Sequence, residues 1–240
     1  MAIGIDTVYQ KVLALANKEQ RGYITPQEFN LMADKAQVEV FNNYFHDLKT
    51  AYHKPTKTDM TYGDEMEMIV EKLQPFRTTT TITISEIDGS YSNSLTLPTN
   101  TPVYMINHLR RTEGEVTEVD GKDILYTENN PLTKATKSRS VYVRSNNTTL
   151  KVYPTPTEET SYTLDYYRIP KTPVWDYVVI NGRALFNNAG TNSQDFELHI
   201  SEEENLVSRI LQMSGVAIQR PDIQQAGAVD KQTAFQEQNN

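Results

Sequence analysis

Apolar residues recur at helical spacing at both ends of this chain and at strand spacing through its middle. Ile5, Val8, Val12, Leu15 and Ala16 share one face of residues 5–20, with Asp6 or Thr7 near the start, which predicts a helix broken at Gly22. Thr25-Pro26-Gln27-Glu28 reads as a capping box with proline at the first helical position. Phe29, Met32, Ala33, Ala36, Val40, Phe41, Tyr44 and Phe45 then follow at helical spacing. Met66, Ile69, Val70 and Leu73 predict a shorter helix over 64–73, stopped by Pro75.

From Arg77 to Tyr167 the helical period vanishes, and threonine, valine, isoleucine and tyrosine dominate. Strands are predicted at 78–85 and 103–111. A hairpin is predicted across Asp120-Gly121, pairing 115–119 with 122–126, and another across Asn146-Asn147, pairing 141–144 with 150–153. Residues 162–168 alternate as a strand, and Pro170 and Pro173 end it. Trp175 to Ile180 forms a second β-type run, closed by the turn pair Asn181-Gly182. Ser201 with Glu204 predicts a second capping box. The helix it opens carries Leu206, Val207, Ile210, Leu211 and Met213 and closes at Gly215.

The expected fold class is therefore α+β, with terminal helices forming a helical bundle and an inserted antiparallel β-sandwich or small barrel. The expected division is a helical body of 1–76 plus 195–240 and a β-domain of 77–194. Many short strands with regular turn signals give the β-domain its reading.

Segment 166–215 has a distinctive order: Tyr-Arg-x-Pro-Lys-x-Pro, Trp-x-Tyr, Phe-Glu-Leu-His-x-Ser-Glu-Glu, then Leu-Val-x-x-Ile-Leu-x-x-x-Gly. It resembles the virion structural proteins of crAss-like tailed bacteriophages, and within them the ring or head-to-tail adaptor proteins below the portal. The stretch YITPQEFNLMADKAQVEVFNNYF, residues 23–45, is a second matching piece. The resemblance implies a subunit of a neck ring, commonly twelvefold, connecting portal and capsid to tail around the DNA channel. It implies a homo-oligomer whose partners are the portal and other neck or tail rings, located in the virion and made in the host cytoplasm. DNA would pass without sequence-specific binding, and no catalysis is implied.

Composition narrows the alternatives. A formal net charge of −8 argues against broad contact with phosphate backbones, leaving one small basic patch at Lys134, Lys137, Arg139 and Arg144. The chain has no cysteine, which excludes disulfides and thiolate chemistry and fits a reducing compartment. No apolar run reaches membrane-spanning length, and the first twenty residues predict a helix rather than a signal peptide.

The chemistry-bearing clusters have plain explanations. Gly22, Ile24 and Glu28 sit at calcium-loop spacing, but Arg21 would occupy a position that needs an oxygen ligand. Asp195, Glu197, His199, Glu202, Glu203 and Glu204 crowd together without a His-x-x-x-His pair, and acids in a helix's first turn are favoured by its dipole. No phosphate loop or nucleophile elbow is present, so no cofactor, metal or enzymatic activity is expected. Aromatic residues carry the alternative roles of core and interface. Tyr166, Tyr167, Arg168, Trp175, Tyr177, Phe196 and His199 are the candidate subunit-interface residues. Tyr166 and Tyr167 fall on opposite strand faces, so one of them is expected to point outward. The polar loop 181–196 and the tail after Pro221 are candidates to order on assembly. The competing function is a tail-associated β-module that binds glycan or receptor through Tyr and Trp.

Overall fold

The computed structural model describes residues 2–16, 24–53, 59–84, 86–87, 90–187 and 190–217. It is a mixed α/β protein with one large, nearly closed barrel-like sheet and a few helices. The chain divides into two compact units, residues 1–75 with 170–240, and residues 76–169.

The first unit holds α1 (Ile5–Ala16), α2 (Pro26–His53), α3 (Asp59–Leu73) and α5 (Glu203–Ala217). The capping box at the start of α2 forms as expected. Thr25 Oγ1 accepts the Glu28 amide at 3.3 Å, and Glu28 Oε2 accepts the Thr25 amide at 3.0 Å. That carboxylate is held below the usual glutamate range by its hydrogen bonds from Thr25. α1 buries Ile5, Val8, Tyr9 and Val12, whereas Leu15 is half exposed. α2 runs well past Phe45, and its Phe29, Ala33, Ala36, Val40 and Phe41 are buried. α3 ends in a 3-10 turn, Gln74–Phe76, because Pro75 has no amide with which to continue it. The break at Gly22 lies outside the described residues.

α5 begins differently from its expected capping box. His199, not Ser201, caps a 3-10 turn at Ile200–Glu202, with His199 Nδ1 accepting the Ser201 amide at 3.3 Å. The helix continues through Gly215 to Ala217. It lies against α1 and α2. Leu206, Val207 and Ile210 are buried, together with Arg209 and Ser214. Arg209 Nη1 reaches Glu39 Oε2 of α2 at 2.8 Å, and Lys11 of α1 pairs with Glu203 at 2.7 Å.

The second unit contains a seven-stranded sheet in the order β1-β9-β5-β6-β7-β8-β4. These strands are β1 (Arg77–Ile84), β4 (Ser94–Thr96), β5 (Val103–Arg111), β6 (Gly114–Glu118), β7 (Val141–Arg144), β8 (Thr149–Tyr153) and β9 (Thr160–Arg168). The short pair β2 (Glu86–Ile87) and β3 (Ser90–Tyr91) stands apart, and the edge strands β1 and β4 approach each other. β9 alternates as predicted: Thr160, Tyr162, Leu164 and Tyr166 are buried on one face. Tyr162, Leu164 and Tyr166 meet Leu109, Val116, Leu150 and Val152 in the core.

The hairpin expected at Asp120-Gly121 is absent. Residues 122–126 do not return as a strand; Ile124–Asn129 form the short helix α4. The segment 119–140 carries the chain over to β7, which therefore pairs with β6 in parallel, through Val119 N to Tyr142 O at 2.9 Å. The sheet is thus not wholly antiparallel. The β7–β8 hairpin forms in the predicted place.

The expected boundary at residue 194 also moves. Residues 170–194 cluster with the helices because Trp175 is fixed among them, as described below.

Leu164 is fully buried at the centre of β9, between β1 and β5. Leu164→Ala is expected to destabilise the protein by about 2–5 kcal/mol, read from the urea midpoint at an unchanged m-value.

Candidate subunit interface

Trp175 lies in the loop after β9 and is 1 % exposed. Its indole Nε1 donates to Asp6 Oδ1 of α1 at 2.9 Å. Its backbone amide donates to Asn30 Oδ1 of α2 at 2.9 Å, and Asn30 Nδ2 donates back to the Trp175 carbonyl at 3.2 Å. The indole packs 4.1 Å from the Tyr9 ring. Two residues later begins β10 (Tyr177–Ile180), joined to β11 (Arg183–Phe186). Tyr177 and Phe186 stack on the indole at 5.8 and 5.9 Å. A second clamp acts nearby: buried Gln37 of α2 donates to the Lys171 carbonyl at 2.7 Å and accepts the Glu197 amide at 3.0 Å.

The β10–β11 turn follows the sequence expectation. Asn181 and Gly182 have φ of 51° and 76°, the two left-handed positions that a tight hairpin of this hand requires. The base is tied by Asp176 Oδ2, which accepts Asn187 Nδ2 at 3.0 Å. Gly190 is pressed against these groups; a Cβ there would lie 2.2 Å from the Asp176 carboxylate. The loop 181–196, expected to order only on assembly, thus contains a strand and the bridges of Gln194 to Val174 and Phe196 to Ile3.

The register sorts the hairpin into two faces. Tyr177 is opposite Phe186 and Val179 opposite Ala184 on one face, whose Tyr177–Phe186 end rests on Trp175 while Val179 is exposed. Val178 is opposite Leu185 and Ile180 opposite Arg183, so these four share the other face. That face is open: Val178, Ile180 and Leu185 are about half exposed, at 46 %, 53 % and 50 %. Among the described residues the pair β10–β11 is a two-stranded sheet with no third strand. The sequence reading missed this patch. Val178-Val179-Ile180 is a continuous aliphatic run, which by itself signals a buried strand.

The seven candidate residues divide between the two units. Tyr166, Trp175 and Phe196 are fully buried and offer no surface to a neighbour. Tyr166 also hydrogen-bonds Thr101 at 2.5 Å. Tyr167, Arg168, Tyr177 and His199 are half-buried. Of the Tyr166–Tyr167 pair, Tyr167 is the outward member, as alternation requires. His199 is engaged in capping.

The charged groups are largely occupied in holding the fold. Asp195 Oδ1 accepts the Ile5 amide at 2.9 Å, and Glu197 Oε2 accepts the Lys171 amide at 2.8 Å. Glu202 pairs with Lys72 at 2.8 Å and accepts Asn205 Nδ2 at 2.8 Å. Burial, with the nearby Glu202 charge, pushes the Tyr44 phenol far above its usual range. Burial also raises the Asp47 carboxyl. Among the described residues, no three His, Asp or Glu gather closely enough to hold a metal ion. In the basic patch, Arg139 Nη2 donates to the carbonyls of Leu132 and Lys134, and Lys137 pairs with Glu158 at 3.0 Å. No described helix is long and apolar enough to cross a membrane.

In the second unit Asp165 is buried on the outer side of β9. Arg77 Nε lies 3.0 Å from its Oδ1, and Asn107 Nδ2 donates to Oδ2 at 3.4 Å. Compared with family models and with curated proteins, the chain matches none.

The hydrogen bonds and charge of Arg77 hold the Asp165 carboxyl below the usual aspartate range. Its folded value therefore lies below the unfolded value of about 3.9. The resulting stabilisation is present above that value and is lost as pH falls through the folded one. Asp165→Asn is expected to lower the melting temperature at neutral pH and to flatten its decline below about pH 4. A variant as acid-sensitive as the parent would remove Asp165 from that role.

Proposed function

We propose that this chain is a structural subunit of a neck ring in a tailed bacteriophage, joining portal and capsid to tail around the DNA channel, without catalysis. The finer fold belongs to this reading: terminal helices forming a bundle, with the β-unit inserted between them as a small barrel. The observation that carries it is the open aliphatic face of the β10–β11 hairpin, Val178, Ile180 and Leu185. It lies within the same segment, 166–215, that resembles ring and adaptor proteins. A two-stranded hairpin is marginal in water unless its apolar face is covered. Its attachment to buried Trp175 makes it a rigid element offered outward, as an assembling subunit needs.

The charge balance agrees. A chain of net charge −8 repels DNA that must slide past it. Cyclic rings form when one heterologous interface repeats and the rotation closes. A subunit of such a ring, commonly twelvefold, then makes this contact with each neighbour, while the portal and other neck rings sit above and below.

A second reading, a β-module that binds glycan or receptor in the tail, is favoured by the exposed rings of Tyr104 and Tyr126 in the β-unit. Native mass spectrometry across a concentration series separates the two. The ring reading expects a closed oligomer near twelve subunits. A strict monomer that retains oligosaccharide on a glycan array would replace it with the second reading. Replacing Val178, Ile180 and Leu185 by serine is expected to abolish the oligomer while leaving the melting temperature within a few degrees, since exposed positions contribute little to the fold.

A further inference from the structure

Among the described residues, the hairpin and α4 are two short elements whose large apolar side chains are mostly exposed, whereas Leu31 of α2 and Met68 and Val70 of α3 are exposed on longer helices. The six-residue helix α4 has no buried residue. Leu125 is 70 % exposed and Tyr126 77 % exposed, and Leu132, just beyond, is exposed too. Helices so short are not stable on their own, so an apolar face left in water needs another support. Asp123 precedes α4 as its cap residue, yet its side chain makes no capping hydrogen bond and is exposed.

The charges of the two elements are opposite. Residues 177–186 carry a single charged side chain, Arg183, on the open face beside Ile180. Residues 120–129 carry three carboxylates, Asp120, Asp123 and Glu128, against one lysine, Lys122. We infer that the open face of the β10–β11 hairpin of one subunit docks on α4 of a second copy of this chain, with Arg183 beside Asp123. The inference rests on the ring reading and names the contact that builds the ring.

Two physical points favour this occupant over a second hairpin. A hairpin-to-hairpin contact would be isologous, closing at two subunits, and would bring two Arg183 side chains into one small interface. A hairpin-to-α4 contact is heterologous: each subunit offers one of each surface, so the contact repeats until the ring closes. Apolar packing supplies the affinity, and the single cation against the acidic rim sets orientation and encounter rate.

The absence of cysteine makes the test direct. Leu185→Cys and Leu125→Cys variants, each with one thiol, are mixed and treated with diamide, while native mass spectrometry monitors the oligomer. The expected result is at least fivefold more disulfide-linked dimer in the mixture than in either variant alone. Equal cross-linking by Leu185→Cys alone would overturn the inference in favour of paired hairpins. An intact oligomer with no cross-link in any sample would overturn it while leaving the ring reading in place. Loss of any oligomer in the parent protein would instead remove the ring reading, and this contact with it. As an independent check, Arg183→Glu is expected to raise the dissociation concentration about tenfold, and adding Asp123→Arg in the same chain to restore it. Failure of that rescue, with both variants folded, would also overturn the pairing.

Discussion

The burial of Trp175 is the constraint on which the first unit depends. One side chain and its own backbone engage Asp6 of α1 and Asn30 of α2, and its ring packs against Tyr9 and against the base of the β10–β11 hairpin. An indole buries more apolar area than almost any other side chain, and its N–H needs a partner once it leaves water. Asp6 provides that partner, and Asn30 answers both backbone groups of the same residue. A loop that would otherwise be free to move is thereby fixed at one point, and the hairpin that leaves it inherits a defined direction.

Around that anchor, polar side chains serve mainly to hold segments distant in sequence. Gln37 joins Lys171 to Glu197, Asp195 caps the start of α1, and Arg209 spans from Asn205 to Glu39. Arg77 and Asp165 do the same across β1 and β9. Charges used in this way are neutralised by partners rather than gathered in one place, and the lowered carboxylates of Glu28 and Asp165 follow from those partners, while Tyr44 and Asp47 are raised by burial. Among the apolar surfaces left over in the described residues are the hairpin face and the side chains of α4. Exposed aliphatic and aromatic groups on short, otherwise unsupported elements are what association between chains can cover. This distribution gives the assembly proposal its physical basis.

Much of this was legible in the sequence wherever the signal is local. The Thr25–Glu28 box is made within four residues, and the left-handed turn at Asn181-Gly182 within two, so the residue types alone specify them. The alternation of β9 and the β7–β8 hairpin are short-range patterns that the fold leaves intact. The candidate interface was legible only in its neighbourhood. The aromatic and β-branched run marks the segment near Trp175, but Trp175 and Phe196 turn inward and the aliphatic residues outward.

Local rules failed where another partner competed with them. Asp120-Gly121 carries hairpin residues, yet the chain there leads through α4 to a parallel strand, because β7 takes its place beside β6. Ser201 has the residue pattern of a cap, but His199 reaches the orphan amide first and a 3-10 turn intervenes. Sequence by itself determined the helical ends, the β-rich middle, the Thr25–Glu28 cap, the Asn181-Gly182 turn and the absence of thiol chemistry. Only the tertiary structure decided which unit claims residues 170–194 and which apolar residues stay in water. Those outcomes hang on Trp175 meeting partners 145 and 169 positions away, a separation over which residue type carries no information about contact.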